Sequence, residues 1–377
     1  ANTAVGRDAL KANTTGTSNV AVGYTALDSN TTADNNTAIG NVTLHSNTTG
    51  TNNTAVGSGT MNTNTTGDNN TAMGVSALYT NNADNNTAFG RSALAANTTG
   101  ASNTAVGHQT LDANTTGTAN VAVGKGAGGA LTTGSYNTVI GMEALLTATT
   151  ADSNTAVGRE ALKANTSGTN NVAVGRDALQ VNTTGSENVA VGVDCLDSNT
   201  TASYNTGVGY NVLEATTTGG SNTAMGRYAL AANTTGDNNV AIGFNNMIAN
   251  TTGSQSVAIG AGALDVATTA NANTAVGYQA LTANTSGEYN VAVGGDALAA
   301  NTTASNNVAI GKNAMLVSTT GANNVAIGRD ALGANTTGAS LTAVGHESLD
   351  ANTTGDSNTA IGKNALTANT TASNNTA

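Results

Sequence analysis

Three histidines, His45, His108 and His346, and one cysteine, Cys195, are the side chains best suited to hold a metal ion or attack a substrate. A metal centre gathers several such groups around one point, and nucleophilic chemistry needs a nucleophile hydrogen-bonded to its base. The histidines lie far apart in the chain, with no cysteine or carboxylate cluster beside them, so no metal site is expected. Cys195 sits in a column otherwise mostly alanine, which reads as a buried small residue. Gly124-Lys125-Gly126 lacks the strand-then-helix context of a phosphate loop, and G-x-x-x-x-G-K-S/T does not occur. No acid is expected to recur at fixed spacing in the turns, so calcium-binding glycine-aspartate nonapeptides are not expected. The expectation is therefore no catalytic residue, no cofactor and no metal.

What recurs instead is glycine. Gly6, Gly23, Gly40, Gly57 and Gly74 begin a series of 22 anchor glycines spaced by seventeen residues, with one spacing of sixteen before Gly90. Around each returns a phrase close to N-T/V-A-V/I-G-x-x-A-L-x-x-N-T-T-G-x-x. A period this short means one small unit stacked on copies of itself. Residues 1–377 read as a single repeat array with no internal boundary. Both ends fall inside a repeat, so the chain is expected to be an excerpt from a longer fibre.

Composition agrees with a structural array. Charged residues are 9% of the chain, aromatics 3%, and proline and tryptophan are absent. The net charge of −11 gives a nucleic-acid role no support. No stretch approaches the roughly 20 apolar residues of a membrane span, and no signal peptide is recognisable.

Read as columns, the repeat becomes legible. Before the anchor glycine come Thr or Val, then Ala in 20 of 22 copies (Val139 and Gly207 differ), then an apolar residue. That period of two predicts a short strand with β-branched residues on one face and very small ones on the other. The invariant glycine implies either positive φ or a neighbour too close for a Cβ. Four residues on stands the main hydrophobic column, Leu10, Leu27, Leu44 and their successors, broken at Gly128, where Leu131 is placed to fill the gap. The x-A-L-x segment is predicted to be a second strand. A second small column, Gly16, Ala33, Gly50, reads as tight packing rather than obligatory positive φ.

Asparagines occupy two more columns, Asn2, Asn19, Asn36 before the strand and Asn13, Asn30, Asn47 at the N-T-T-G turn. Coils about 4.8 Å apart would let identical asparagines hydrogen-bond as ladders. The same triplets match the N-x-S/T glycosylation pattern, but the ladder explains the period by itself.

The most variable column follows the anchor glycine: Arg7, Tyr24, Arg91, Arg159, Arg176, Tyr210, Arg227, Phe244, Tyr278 and Arg329. Tyr136, Tyr204 and Tyr289 line another outer column. The plain reading is an unselective solvent face or an intersubunit contact; the functional one is a shallow stripe for host-surface glycans or matrix proteins. An acid often follows the basic residue, as at Arg7-Asp8. Successive strand residues point to opposite faces, so these charges are expected to pair across a chain interface.

One coil offers one leucine, one valine or isoleucine and a few alanines, little apolar surface for seventeen ordered residues. Sharing a core between chains is the expected remedy. Residues Asn19 to Leu27, N-V-A-V-G-Y-T-A-L, and their siblings resemble the S-V-A-I-G repeats of trimeric autotransporter adhesin heads (YadA-like). They are more similar still to the N-T-A-V-G-Y-x-A-L-x-x-N-T-T-G repeats of phage tail-fibre-like and bacterial surface proteins. The resemblance covers the whole chain, although adhesin heads use a shorter period. It implies a parallel homotrimer of β-rolls with hydrophobic strand faces turned inward.

The expected architecture is all-β, a parallel β-roll or β-solenoid of about 22 coils in an intertwined or side-by-side homotrimer. The expected role is a fibre shaft, extracellular, at a cell surface or on a virion, presenting or acting as an adhesin. The alternatives are a single-chain solenoid that polymerises end to end and, less well supported, an ice-binding solenoid. Thr14 and Thr15 argue against the latter, because they sit in a turn rather than as T-x-T on a flat strand.

Overall fold

The computed structural model describes all 377 residues as a parallel β-solenoid of 22 three-residue strands, without helices. It forms two compact units, residues 1–188 and 189–377. In the first, β1 (Thr3–Val5), β2 (Val20–Val22) and their successors to β11 (Val172–Val174) each pair in parallel with the strand one coil on. In the second, β12 (Val189–Val191) through β22 (Thr359–Ile361) do the same. Like stacks on like: Thr3 faces Val20, Ala4 faces Ala21, and Val5 faces Val22. The sixteen-residue spacing leaves this register intact, with Thr71 opposite Thr87. The missing residue is taken from the turn after Asn81, whose side chain still donates to Asn64 Oδ1.

The second predicted strand does not form. The segment after the anchor glycine is a turn in which alternate residues take positive φ, Asp8 at 58° and Leu10 at 53°. Left-handed backbone is disfavoured by about 1–2 kcal/mol per residue, more for β-branched side chains such as Thr25 and Val42. What holds it is the neighbouring coil, since the turn keeps bonding forward, as from the Leu10 N–H to Ala26 O at 2.9 Å. The same geometry drops each leucine into the interior. Leu27, Leu44 and Leu78 are fully buried.

This overturns the expectation that chains must pool their leucines. Each unit closes its own core from the leucines, the strand-centre alanines and the alanine before each leucine. The strand faces are also the reverse of those the resemblance implies. Ala21 and Ala38 point into the coil, while the flanking Thr/Val and Val/Ile columns are half-buried or exposed. Small residues must face inward because a coil of this girth has room for only one large side chain.

The anchor glycine meets both demands considered for it. Gly57 has φ of +133°, and a Cβ there would sit 2.8 Å from the Gly74 carbonyl oxygen. The second small column shows no positive φ at Gly16 or Gly50, and a Cβ at Gly50 would come 2.5 Å from Gly67 O. Close packing is the constraint there.

Both asparagine ladders are present and buried. The Asn19 N–H donates to Asn2 Oδ1 at 2.9 Å, and Asn19 Nδ2 donates to Ala33 O at 2.8 Å. In the second ladder Asn30 Nδ2 donates to Asn13 Oδ1 and to Ala33 O. Asn30 Oδ1 in turn accepts from Asn47 Nδ2 at 3.0 Å, so one side chain bridges the coil before and the coil after. The second ladder is interrupted by Leu131, Ala148, Thr216, Ala267 and Ser318. Before Leu131, Ala267 and Ser318 the preceding buried oxygen, on Asn114, Asn250 or Asn301, has no hydrogen-bond partner. Such an orphan costs about 1–3 kcal/mol, so the ladder's exceptions are local weak points.

Apolar exceptions are offset by their neighbours. Leu131 is fully buried, as expected opposite the loss at Gly128, and Val139 is a second buried bulky residue nearby. Gly207 replaces a strand-centre alanine because a Cβ there would lie 2.6 Å from Cys195 Sγ and 3.4 Å from Val212 Cγ1. Gly207→Ala is therefore expected to destabilise the protein by about 1–3 kcal/mol through overpacking. Adding Cys195→Ala should restore most of that loss. Thermal unfolding of the two single variants and the double variant measures the coupling.

Candidate functional site

The variable column begins where the anchor glycine turns the chain out of the sheet, so its side chains project from the turn. Tyr24, Tyr210, Phe244 and Tyr278 are exposed, and so is Arg91. Stacking places residues seventeen apart over one another. The Arg7 guanidinium lies 5.6 Å from the Tyr24 ring centroid, and Arg227 lies 5.8 Å from Tyr210 and 4.6 Å from Tyr228. Tyr210 and Tyr228 meet edge to face at 5.7 Å. These contacts gather four of the expected residues, Arg7, Tyr24, Tyr210 and Arg227, together with Tyr228, into short cation–π groups. Tyr136, Tyr204 and Tyr289 stand more exposed, in a separate column of positive φ.

The charges pair within the chain, contrary to expectation. Arg7 Nε lies 3.4 Å from Asp8 Oδ2, Arg159 Nη2 2.5 Å from Glu160 Oε1, Arg176 Nε 3.3 Å from Asp177 Oδ2 and Arg329 Nε 3.4 Å from Asp330 Oδ2. The strand alternation invoked to keep them apart does not apply, because the acid sits in a turn at positive φ. Hydrogen bonds from Arg159 and Lys163 hold the Glu160 carboxyl below its usual range. Being exposed, such pairs contribute little stability. Arg159 and Arg176 also each have their own acid, which removes the like-charge problem of stacking.

The histidines are not isolated either. His45 Nδ1 lies 4.0 Å from Asp28 Oδ2, His108 opposes the burial-driven rise of the Asp112 carboxyl, and His346 stands beside Asp330 and Glu347. Residues remote in sequence become neighbours when they are about one period apart, as Asp28 and His45 are. Cys195 is buried as expected, and burial pushes its thiol up to about 12, so it stays protonated at neutral pH. Pairing of a nucleophile with a base is not seen around it.

Two features escaped the sequence reading. Contrary to the expectation that no acid recurs at fixed spacing in the turns, six aspartates share one turn column: Asp34, Asp68, Asp152, Asp237 and Asp356 at the eleventh position after the anchor glycine, and Asp84 at the tenth in the shortened coil. Each accepts a hydrogen bond from a backbone N–H one coil earlier, for example Thr17 N–H to Asp34 Oδ1 at 2.5 Å. They cap the stack. The signal was available as a column of Asp, Ser and Thr, residues that satisfy backbone donors. The second feature is the outward direction of the apolar residue before the anchor glycine, a column that the sequence displays without showing which way it faces. Val5, Ile39, Met73, Val106 and Ile140 in the first unit, and Met225, Ile242, Ile259, Ile310 and Ile327 in the second, are exposed on the sheet face.

The first threonine of the N-T-T-G turn is committed to the stack: Thr14 Oγ1 donates to Thr31 O and Thr48 Oγ1 to Thr65 O. Hydroxyls held this way are not free to order water.

Backbone and hydroxyl donation from Thr17 lowers the Asp34 carboxyl below its usual value. A carboxyl lowered on folding contributes stability above its unfolded pKa, about 3.9, and loses it as pH falls through the lower folded value. Asp34→Asn should therefore flatten the acid limb of the stability–pH curve and leave its neutral-to-alkaline shape unchanged, as measured by chemical denaturation from pH 2 to 8.

No protein-family model matches this chain, and no curated protein matches it.

Proposed function

We propose that the chain is a structural, non-enzymatic segment of an extracellular or virion surface filament, assembled as a parallel homotrimer and presenting or acting as an adhesin. The observation that carries this reading is the unpartnered apolar column on the outer sheet face. Isolated exposed apolar residues are ordinary, but a column repeated at every coil is an association surface. Parallel copies of one chain share its period, so the same column can meet itself coil after coil. The resemblance to adhesin-head and tail-fibre repeats points the same way. The cation–π groups of Arg7 with Tyr24, and of Arg227 with Tyr210 and Tyr228, are the sites at which such a filament would contact glycans or matrix proteins.

A second reading is a single-chain solenoid that polymerises end to end. The self-contained leucine core favours it, since the fold does not require a companion to bury its largest side chains.

Sedimentation equilibrium separates the two. The homotrimer predicts three times the chain mass of 36.6 kDa. The double variant Ile242→Glu/Ile259→Glu, altered only on the outer face, should lower that mass while remaining folded by circular dichroism. A concentration-independent monomer mass for the unaltered chain contradicts the trimer.

A further inference from the structure

Within the second unit, a cluster off the strand face has the composition of a cation site. Asp330 and His346 are brought together by coil stacking, and the positive φ of Glu347, 57°, turns its side chain to the same side. One ligand atom from each of Asp330, His346 and Glu347 lies within 4.8 Å of the other two. A single tetrahedral ion with nitrogen and oxygen ligands at about 2.0–2.2 Å requires that triangle to close to about 3.4 Å a side, a side-chain rotation at a half-buried turn.

His346 Nδ1 is shielded from water and has no hydrogen-bond partner; the nearest carboxylate oxygen, Glu347 Oε2, is 3.5 Å away. Asp330 and Glu347 line a groove together with a third carboxylate, Asp350. Gly333 leaves room for it, because a Cβ there would lie 2.6 Å from Asp350 Oδ1. Burial, and then the closeness of Asp330 and Glu347, raise the Asp350 carboxyl above its usual range. Three carboxylates therefore crowd one groove. Arg329 offsets part of that charge: its guanidinium reaches Asp330 at 3.4 Å and Glu347 at 3.9 Å, and donates to His346 Nε2.

We propose that Asp330, His346 through Nδ1, and Glu347 bind a divalent first-row cation of the Zn²⁺ type, with Arg329 as a resident competitor. A neutral imidazole has one lone pair and one N–H. While Nε2 accepts from Arg329, the proton is on Nδ1 and that nitrogen cannot ligate. Cation binding takes the Nδ1 lone pair, moves the proton to Nε2 and sets it against the guanidinium donor, which must swing out. Imidazole with two carboxylates suits zinc better than calcium, which takes six to eight oxygen ligands.

The arginine gives the proposal a test that a surface ion network would fail. Zn²⁺ is titrated into the untagged full chain by calorimetry, with folding of each variant verified by circular dichroism. The expected result is saturable binding of one Zn²⁺ per chain, weakened about tenfold or more in His346→Gln and strengthened in Arg329→Gln. Absence of saturable binding, binding that His346→Gln leaves unchanged, or weaker binding in Arg329→Gln overturns it.

Discussion

The structure depends on amide side chains that act as backbone in the interior of the coil. A seventeen-residue coil is mostly turn, and a turn leaves N–H and C=O groups pointing where a thin core cannot satisfy them. Asparagine supplies both a donor and an acceptor from a short side chain. At Asn103 the Nδ2 group donates to Gly117 O and Oδ1 accepts from the Asn120 N–H, so one residue completes the accounting for the next coil. Since every coil presents the same groups, repeating the residue repeats the solution, and a seventeen-residue period follows. The orphaned oxygens at Asn114, Asn250 and Asn301 show the converse, each appearing where the next coil lacks the asparagine.

With the turns satisfied in this way, the remaining interior is narrow. It accepts one leucine and two alanines per coil, which is why the strand turns its smallest residue inward and its β-branched residues outward. The apolar outer face is then a by-product of the same constraint. A chain whose core is already closed still displays valine, isoleucine and methionine at every coil. Self-burial of the leucines and exposure of the strand flanks are two consequences of one cross-section. The first loosens the argument that partners are needed for folding, and the second moves the argument for partners to the surface.

Much of this was legible in the sequence. The stacked parallel architecture, the leucine column, the ladders, the anchor glycine and the buried Cys195 all follow from residue identity at fixed spacing. Alternation identified two strand faces but could not say which was inward, because the size of the interior is not a local property. The second strand was misread because leucine is no marker of positive φ. Only the coil beneath forces Leu10 and Leu27 into that conformation. The neighbours of His45 and His346 were missed for a simpler reason: nearness was judged along the chain, whereas in a solenoid Asp28 and Asp330 are near because they lie about one period away.

Hydrogen–deuterium exchange over residues 103–120 in Asn103→Leu tests the ladder most directly. The replacement is close in size and more apolar, so burial alone would leave the coil as stable or more so. Gly117 O keeps its second donor, Asn114 Nδ2 at 3.1 Å. The ladder account therefore predicts that the orphaned Asn120 N–H, costing about 1–3 kcal/mol, makes this coil exchange about ten- to a hundredfold faster at its protected amides. Exchange that is unchanged or slower would contradict it.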